Sequence, residues 1–262
     1  MDLGLRGRVA VVAAGSKGLG RAVALELAAE GADVAICARG TAALEDAASA
    51  IRALGVRAHV VAADVSVAGA PEGVIADVER ALGPIDIVVT NSGGPRSGRF
   101  ETLQPEDWDA ATRTLLSSAV GFARAAVPGM RARKWGRIIN ITSIAAKQPV
   151  ENLMLSNSLR SAVIAFAKTL SNEVAADGVT VNNLLPGYTR TERVTDLADQ
   201  LAASGNTTAA SVTARWEAEI PMRRLGEPAE FAALAAFLAS GRASYITGQS
   251  IAIDGGWIRN AL

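Results

Sequence analysis

The sequence predicts an α/β domain whose parallel sheet is wound on both sides by helices. Three observations lead there. Short β-branched runs alternate with longer Ala- and Leu-rich amphipathic segments along the whole chain. The short runs are almost continuously apolar, as strands covered on both faces must be. The segments between them are long enough for the crossovers that parallel strands require.

Taken in order, the strands are "RVAVVAA", "DVAICA", "VRAHVVAAD", "IDIVVTN", "GRIINITS", "GVTVNNLLP" and "GQSIAID". Helical stretches such as "GRAVALELAAEGA", "TAALEDAASAIRAL" and "GVIADVERALG" lie between them. Gly31, Gly55, Gly83 and Gly178 each follow a helix, where a left-handed C-cap is wanted. The expectation is one Rossmann-like, doubly wound domain over 1–262, with a seven-stranded parallel sheet and helices on both faces. No repeat or Gly/Ser/Pro linker divides it. The "SGNTTAAS" stretch after the sixth strand marks an insertion near 188–220, where a lid over a substrate would sit.

Composition narrows the function. A chain of 262 residues, 50% of them hydrophobic, can bury one sizeable core. Lys+Arg and Asp+Glu balance at 26 each, which argues against nucleic acid or an anionic membrane as the partner. The basic cluster Arg131, Arg133, Lys134 and Arg137 reads as a solvated helix end, or as a dock for an acidic carrier. Cys37 is the only cysteine, so no intrachain disulfide forms and a reducing cytoplasm fits. It lies in an apolar run and reads as a buried hydrophobe. His59, the only histidine, sits in a strand and reads as structural. One Cys and one His exclude a structural-zinc cluster. The N-terminal run reads as a first strand rather than a signal peptide, and no apolar stretch is long enough for a bilayer.

"AAGSKGLGRAVALELA" closes the first strand and opens the first helix, where backbone N–H groups meet a dinucleotide pyrophosphate. Gly15, Ser16, Lys17, Gly18, Leu19 and Gly20 are the candidate cradle. The second strand ends without a carboxylate for an NAD ribose. Ala38 and Arg39 stand there, and Arg39 with Lys17 suits a 2′-phosphate, favouring NADP(H) over NAD(H).

The loop is close to T-G-x-x-x-G-x-G, with Ala13 and Ala14 in place of its first two residues, and it resembles that of the short-chain dehydrogenase/reductases. Four more stretches resemble the same family in order and spacing. "AADV" gives Asp64 and Val65, the adenine-contacting pair. "TNSGG" gives Asn91 and Gly93. "PGYTRT" gives Pro186, Gly187 and Thr191. "ITGQSIAIDGGW" resembles the family's last strand. The likeness covers essentially the whole chain and is nearest to the β-ketoacyl-acyl-carrier-protein reductase-like members, in a divergent subgroup with imperfect loop and site.

The family's active site uses Asn, Ser, Tyr and Lys. Carried over by position, Ser143 matches the serine, Leu115 stands at the asparagine, Ser156 at the tyrosine and Arg160 at the lysine. Ser156 and Arg160 share a helix face, but an aliphatic hydroxyl is a far weaker acid than a phenol and shorter by a ring. Loss of a positioned acid costs about 10²–10⁴ in rate. Tyr188, assisted by Lys147, is the candidate substitute acid, with Lys147 expected to lower the phenol's pKa or to polarise the carbonyl.

Three classes of function follow: an NADP(H)-dependent carbonyl or alcohol oxidoreductase, a nucleotide-binding scaffold or sensor without turnover, and another reaction such as elimination on the same scaffold. A small carbonyl or alcohol, or an acyl thioester, is the expected substrate. A homodimer or homotetramer through "LLSSAVGFARAAVPGM" and "LSNSLRSAVIAFAKTL" is the expected assembly.

Overall fold

A computed structural model describes residues 2–260. Seven strands form one parallel sheet: β1 (Val9–Ala13), β2 (Asp33–Ala38), β3 (Ala58–Ala62), β4 (Ile87–Thr90), β5 (Gly136–Ile141), β6 (Val179–Pro186) and β7 (Ser250–Ile253). Their spatial order is β3-β2-β1-β4-β5-β6-β7. The order reverses between β1 and β4, which opens a crevice at the C-terminal ends of these two strands. The doubly wound, seven-stranded expectation holds.

Alternation along each strand divides the core in two. Ala10 and Val12 of β1 face a layer built from α1 (Gly18–Ala29), α2 (Thr41–Arg52) and α9 (Pro228–Ala239), through Val23, Leu27, Leu44, Ile51 and Phe231. Val9, Val11 and Ala13 face α3 (Ala70–Leu82), α5 (Ser118–Ala132) and α6 (Met154–Val174), through Val74, Val78, Phe122, Ala126 and Ala167. Gly31, Gly55, Gly83 and Gly178 all take positive φ, between 73° and 102°, as helix ends require.

A short helix, α4 (Pro105–Ala111), runs through a π-helical turn, Thr112–Ser117, into α5. The 188–220 segment forms α7 (Glu192–Ser204) and α8 (Ala209–Glu219). These have a small core of their own around Ala198, Val212, Trp216, Ile220 and Leu225.

Polar residues inside the apolar strands form a chain across the sheet. Thr90 Oγ1 donates to Asn140 Oδ1 (2.7 Å), Asn140 Nδ2 to Asn183 Oδ1 (3.0 Å), and Asn183 Nδ2 to Ser250 Oγ (3.1 Å). Each pair is in register on adjacent strands. A one-residue slip would leave these buried amides without partners, so the chain fixes the register of β4 to β7.

Three of the basic cluster, Arg131, Arg133 and Lys134, lie exposed at the end of α5 as expected of a solvated helix end, and Arg137 departs from that reading. Arg137 is in β5 with 2% of its surface exposed. Its guanidinium lies over the Trp135 ring, as does that of Arg8, and donates to the carbonyls of Ser240, Gly136 and Gly178. Desolvation, with Arg8 nearby, pushes its pKa down to about 10. Arg131 and Lys134 share Asp177, and Arg133 reaches the carbonyl of Ile85. Arg137→Met should strand these carbonyls and cost about 3 kcal/mol, lowering Tm by roughly 6–10 °C in a thermal melt.

Candidate active site

The loop from β1 to α1 passes unusually close to its neighbours. A Cβ at Gly20 would collide with the Ala14 carbonyl oxygen and come within 3.0 Å of Asn91 Nδ2. One at Gly15 would meet Ile36 Cγ2 at 2.6 Å. Gly18 has a φ of 53° and faces Thr191, whose Cγ2 would lie 3.7 Å from a Cβ there. The glycines thus let the chain turn tightly against its own neighbours at the head of α1, the place where such folds receive a pyrophosphate. Ala14, where the family motif has its first glycine, holds the left-handed conformation itself, at a φ of 48°. The loop geometry is kept at the expense of strain in an alanine.

Ser16, Lys17 and Gly18 line a crevice of about 590 Å³ with Arg21, Arg190 and Thr191. Leu19 packs against the core under the loop. Lys17 is exposed and pairs with Glu192 (3.0 Å) across the mouth of this crevice. Arg39 is exposed at the end of β2 and sits close enough to Asp64 to favour its carboxylate. Asp64 itself accepts from the Ser66 hydroxyl and backbone N–H, and these bonds are the main cause of its lowered pKa. Val65 packs against the core beside it. Asn91 follows β4 and lines a narrow slot, and no atom crowds the position where Gly93 would carry a Cβ. Pro186 ends β6, and Gly187 lets the chain pass Asp254, whose Cα lies 2.8 Å from where a Cβ would be. These candidates all gather along the C-terminal edge of the sheet.

The other candidates converge at the end of β5. Ser143 Oγ accepts the N–H of Ala145 at 3.1 Å, leaving its own proton available to a ligand. Arg160 reaches from α6 to the C-terminal end of β5. Its Nη1 donates to the carbonyls of Thr142 (2.6 Å) and Ile141 (3.2 Å), and its Nε to Ser156 Oγ (3.2 Å). Desolvation, with Arg193 adding repulsion, pushes its pKa down to about 10, so it stays charged at neutral pH. Leu115 lies in the π-helical turn and lines the slot with Thr90, Asn91, Ser92, Thr142 and Arg160. Its apolar side chain packs with Leu155 and Leu159.

Tyr188 and Lys147 do not form the expected pair. The Tyr188 ring stacks on Trp216 (4.8 Å between centroids) and meets Trp257 edge-on (6.2 Å). Burial, then Glu219, raises its pKa, and the cation that opposes this is Arg215. Lys147 is exposed at the end of a short turn after Ser143.

His59 and Cys37 have structural surroundings. His59 Nε2 is 2.8 Å from Asp77 on α3. Burial pushes the Cys37 thiol up to about 12. Among the described residues no cluster of His, Cys, Asp and Glu could hold a metal ion, and no helix is long and apolar enough to cross a membrane. Sequence reasoning missed Arg193, which leaves the start of α7 and packs against Gly94.

Residues 13–258 match a family model described as enoyl-(acyl carrier protein) reductase. The chain is 36% identical over 250 residues to an acetoacetyl-CoA reductase of Shinella zoogloeoides, covering 95% of this chain and 98% of that one. It is 33% identical to a 3-oxoacyl-[acyl-carrier-protein] reductase of Escherichia coli, covering 97% and 98%. The chain is a short-chain dehydrogenase/reductase. Among solved structures, the chain superposes with a TM-score of 0.95 on L-sorbose reductase of Gluconobacter frateurii complexed with NADPH and L-sorbose, at 34% identity and over 99% of this chain and 100% of that one.

The strain at Ala14 can be measured in this dehydrogenase/reductase. Ala14→Gly should relieve about 1–2 kcal/mol of left-handed strain against about 0.5–1 kcal/mol of added chain entropy. A denaturant titration should therefore show a net gain of between about 0 and 1.5 kcal/mol.

Proposed function

We propose that this protein is an NADP(H)-dependent oxidoreductase that reduces a carbonyl, in the manner of the ketoacyl reductases, through a site in which Arg160 and Ser156 replace the usual lysine and tyrosine. The observation that carries the proposal is the tight glycine turn between β1 and the head of α1, which the close approaches at Gly15 and Gly20 require. It fits a dinucleotide pyrophosphate. The G. frateurii relative, alike over almost the whole chain, is a complex with NADPH.

Ser16 to Gly20 would hold the pyrophosphate with Thr191 opposite, and Asp64 and Val65 would border the adenine. Arg39 and Lys17 would supply charge for the 2′-phosphate, with Lys17 turning from the exposed Glu192 at little cost, since exposed pairs contribute ~0–1 kcal/mol. The bound nicotinamide supplies the hydride.

The chain's own residues then handle the carbonyl oxygen. Ser143 donates its free O–H to that oxygen. Arg160, anchored on the β5 carbonyls, places fixed positive charge beside the developing alkoxide. Ser143 passes its proton on and regains one from solvent. Leu115 closes the floor of the slot to water. Without a phenol, turnover is slow by the standards of a positioned acid, which contributes about 10²–10⁴-fold. Tyr188 serves as an aromatic wall of the helical cap, and α7–α8 act as the lid.

A second reading, nucleotide binding without turnover, is favoured by the narrowness of the slot and by its apolar Leu115. NADPH consumption against ketones, β-ketoacyl thioesters and quinones separates the two. Steady consumption with any of them supports the reductase, and saturable binding without consumption supports the second reading.

Calorimetry should show NADP(H) binding tighter than NAD(H). Arg39→Ser should weaken NADP(H) about tenfold, or ~1.4 kcal/mol, and leave NAD(H) within a factor of about two. Tyr188→Phe should leave kcat within about threefold, against the ~10²-fold or greater loss of a true proton donor.

A further inference from the structure

The crevice beside the phosphate loop offers an incoming anion no basic side chain that lacks a partner. Lys17, Arg21 and Arg190 line it. Lys17 pairs with Glu192 (3.0 Å), Arg21 with Asp46 (3.7 Å) and Arg190 with Glu227 (3.0 Å). A phosphate that enters here must therefore take a cation from a carboxylate. The three pairs differ in what they join. Arg21 and Asp46 tie α1 to α2, and Arg190 and Glu227 tie the segment after β6 to the start of α9. The Lys17–Glu192 pair joins the phosphate loop to α7. Backbone fixes its placement. Lys17 immediately precedes α1 and Glu192 is the first residue of α7. Their neighbours Gly18 and Thr191 face one another, with Thr191 Cγ2 3.7 Å from the position of a Cβ at Gly18. The two paired side chains are 62% and 69% exposed, so the pair is weak and readily exchanged. A negative charge is favoured in the first turn of a helix, so Glu192 stays ionised when the lysine leaves it.

We propose that Glu192 is a nucleotide-selectivity residue: it competes with the 2′-phosphate of NADP(H) for Lys17 and so holds down the preference for NADP(H) over NAD(H). This rests on the NADP(H)-binding reading, whether or not turnover follows. A phosphate monoester carries about two negative charges near neutral pH and a carboxylate one, so the phosphate takes the lysine. Glu192 is then left without its partner and beside a second anion. Both effects weaken NADP(H). The 2′-hydroxyl of NAD(H) makes no demand on Lys17, and the pair stays closed. The carboxylate therefore acts against one nucleotide and is silent toward the other.

The test is calorimetric titration of NADP⁺ and of NAD⁺ into the full-length protein and its variants, in about 50 mM salt, where exposed charges are little screened. Glu192→Gln should tighten NADP⁺ about three- to fivefold, the range an exposed ion pair commands, and leave NAD⁺ within about 1.5-fold. Asp46→Asn removes a carboxylate from the same crevice but not from Lys17, and should move NADP⁺ by less than about 1.5-fold. In a Lys17→Met background, Glu192→Gln should change NADP⁺ affinity by no more than about 1.5-fold, because the acid acts through the lysine. All three positions are exposed, so the variants keep the fold. Four results would each overturn the proposal and leave the NADP(H) reading intact: an unchanged NADP⁺ affinity in Glu192→Gln, an equal gain for NAD⁺, an equal gain from Asp46→Asn, or a gain that persists without Lys17. Failure of NADP⁺ to bind the unmodified protein and Glu192→Gln alike would remove the NADP(H) reading and the proposal with it.

Discussion

A guanidinium taken out of water at the end of a β-strand must find acceptors for its donors, and the candidate site is built around how Arg160 does so. Its Nη1 caps the last carbonyls of β5, and its Nε holds Ser156 one helical turn away. The two positions therefore behave as one unit. A bulky aromatic ring at 156 would lose the acceptor that Ser156 provides, and a lysine at 160 has no planar fork to bridge a serine and two carbonyls. Arg160 is thus fixed on the strand end and points charge into the slot rather than swinging freely. A fixed charge of this kind stabilises a developing anion without reorganising, but it cannot give up a proton near neutral pH. In the proposed reaction that asymmetry makes the chemistry electrostatic and leaves the proton to a hydroxyl and solvent.

The nucleotide end of the cleft shows a comparable economy of geometry. What matters at the head of α1 is that the chain turns tightly enough for bare N–H groups to face a phosphate. Gly20 and Gly15 are irreplaceable there because other backbone or a core side chain fills the space beside them. Ala14 is different in kind. It has room for its methyl group and only its φ is unfavourable, a modest local strain that the packed first strand and first helix can hold. A motif stated in glycines conceals two separate demands, one for space and one for handedness, and only the first forbids alanine.

Much of the fold was legible because it follows from periodicity. The apolar runs became β1 to β7, and Gly31, Gly55, Gly83 and Gly178 ended helices in positive φ. The cofactor-edge candidates, from Gly15 to Thr191, fall along one side of the sheet because strand ends in a parallel sheet all point there. The errors have a common cause: the environment of a charge is not written in its local sequence. Arg137 stands in a basic run yet lies in the core, since the next residues are strand and Trp135 offers a ring to lie against. Asn140, Asn182 and Asn183 interrupt apolar strands, and only the register shows that Asn140 and Asn183 satisfy one another. Tyr188 follows the sheet edge as expected, yet Trp216 and Trp257 come from distant segments to claim its ring. Arg193 carries no signal at all until Gly94 is seen to make room for it.

The helical cap joins these features. Its small core is closed by Tyr188, which follows β6, and by Trp257, which follows β7, so the cap is tethered to the sheet at two strand ends. Its first helix begins at Glu192, one residue from the phosphate loop's neighbour Thr191, and carries Arg193 into the cleft. Any movement of α7 against the sheet must alter the spacing of Lys17 from Glu192 and of Arg193 from Arg160 together. One contact is an attractive ion pair and the other a like-charge approach, so the sheet acts on the start of α7 with opposing forces at these two places.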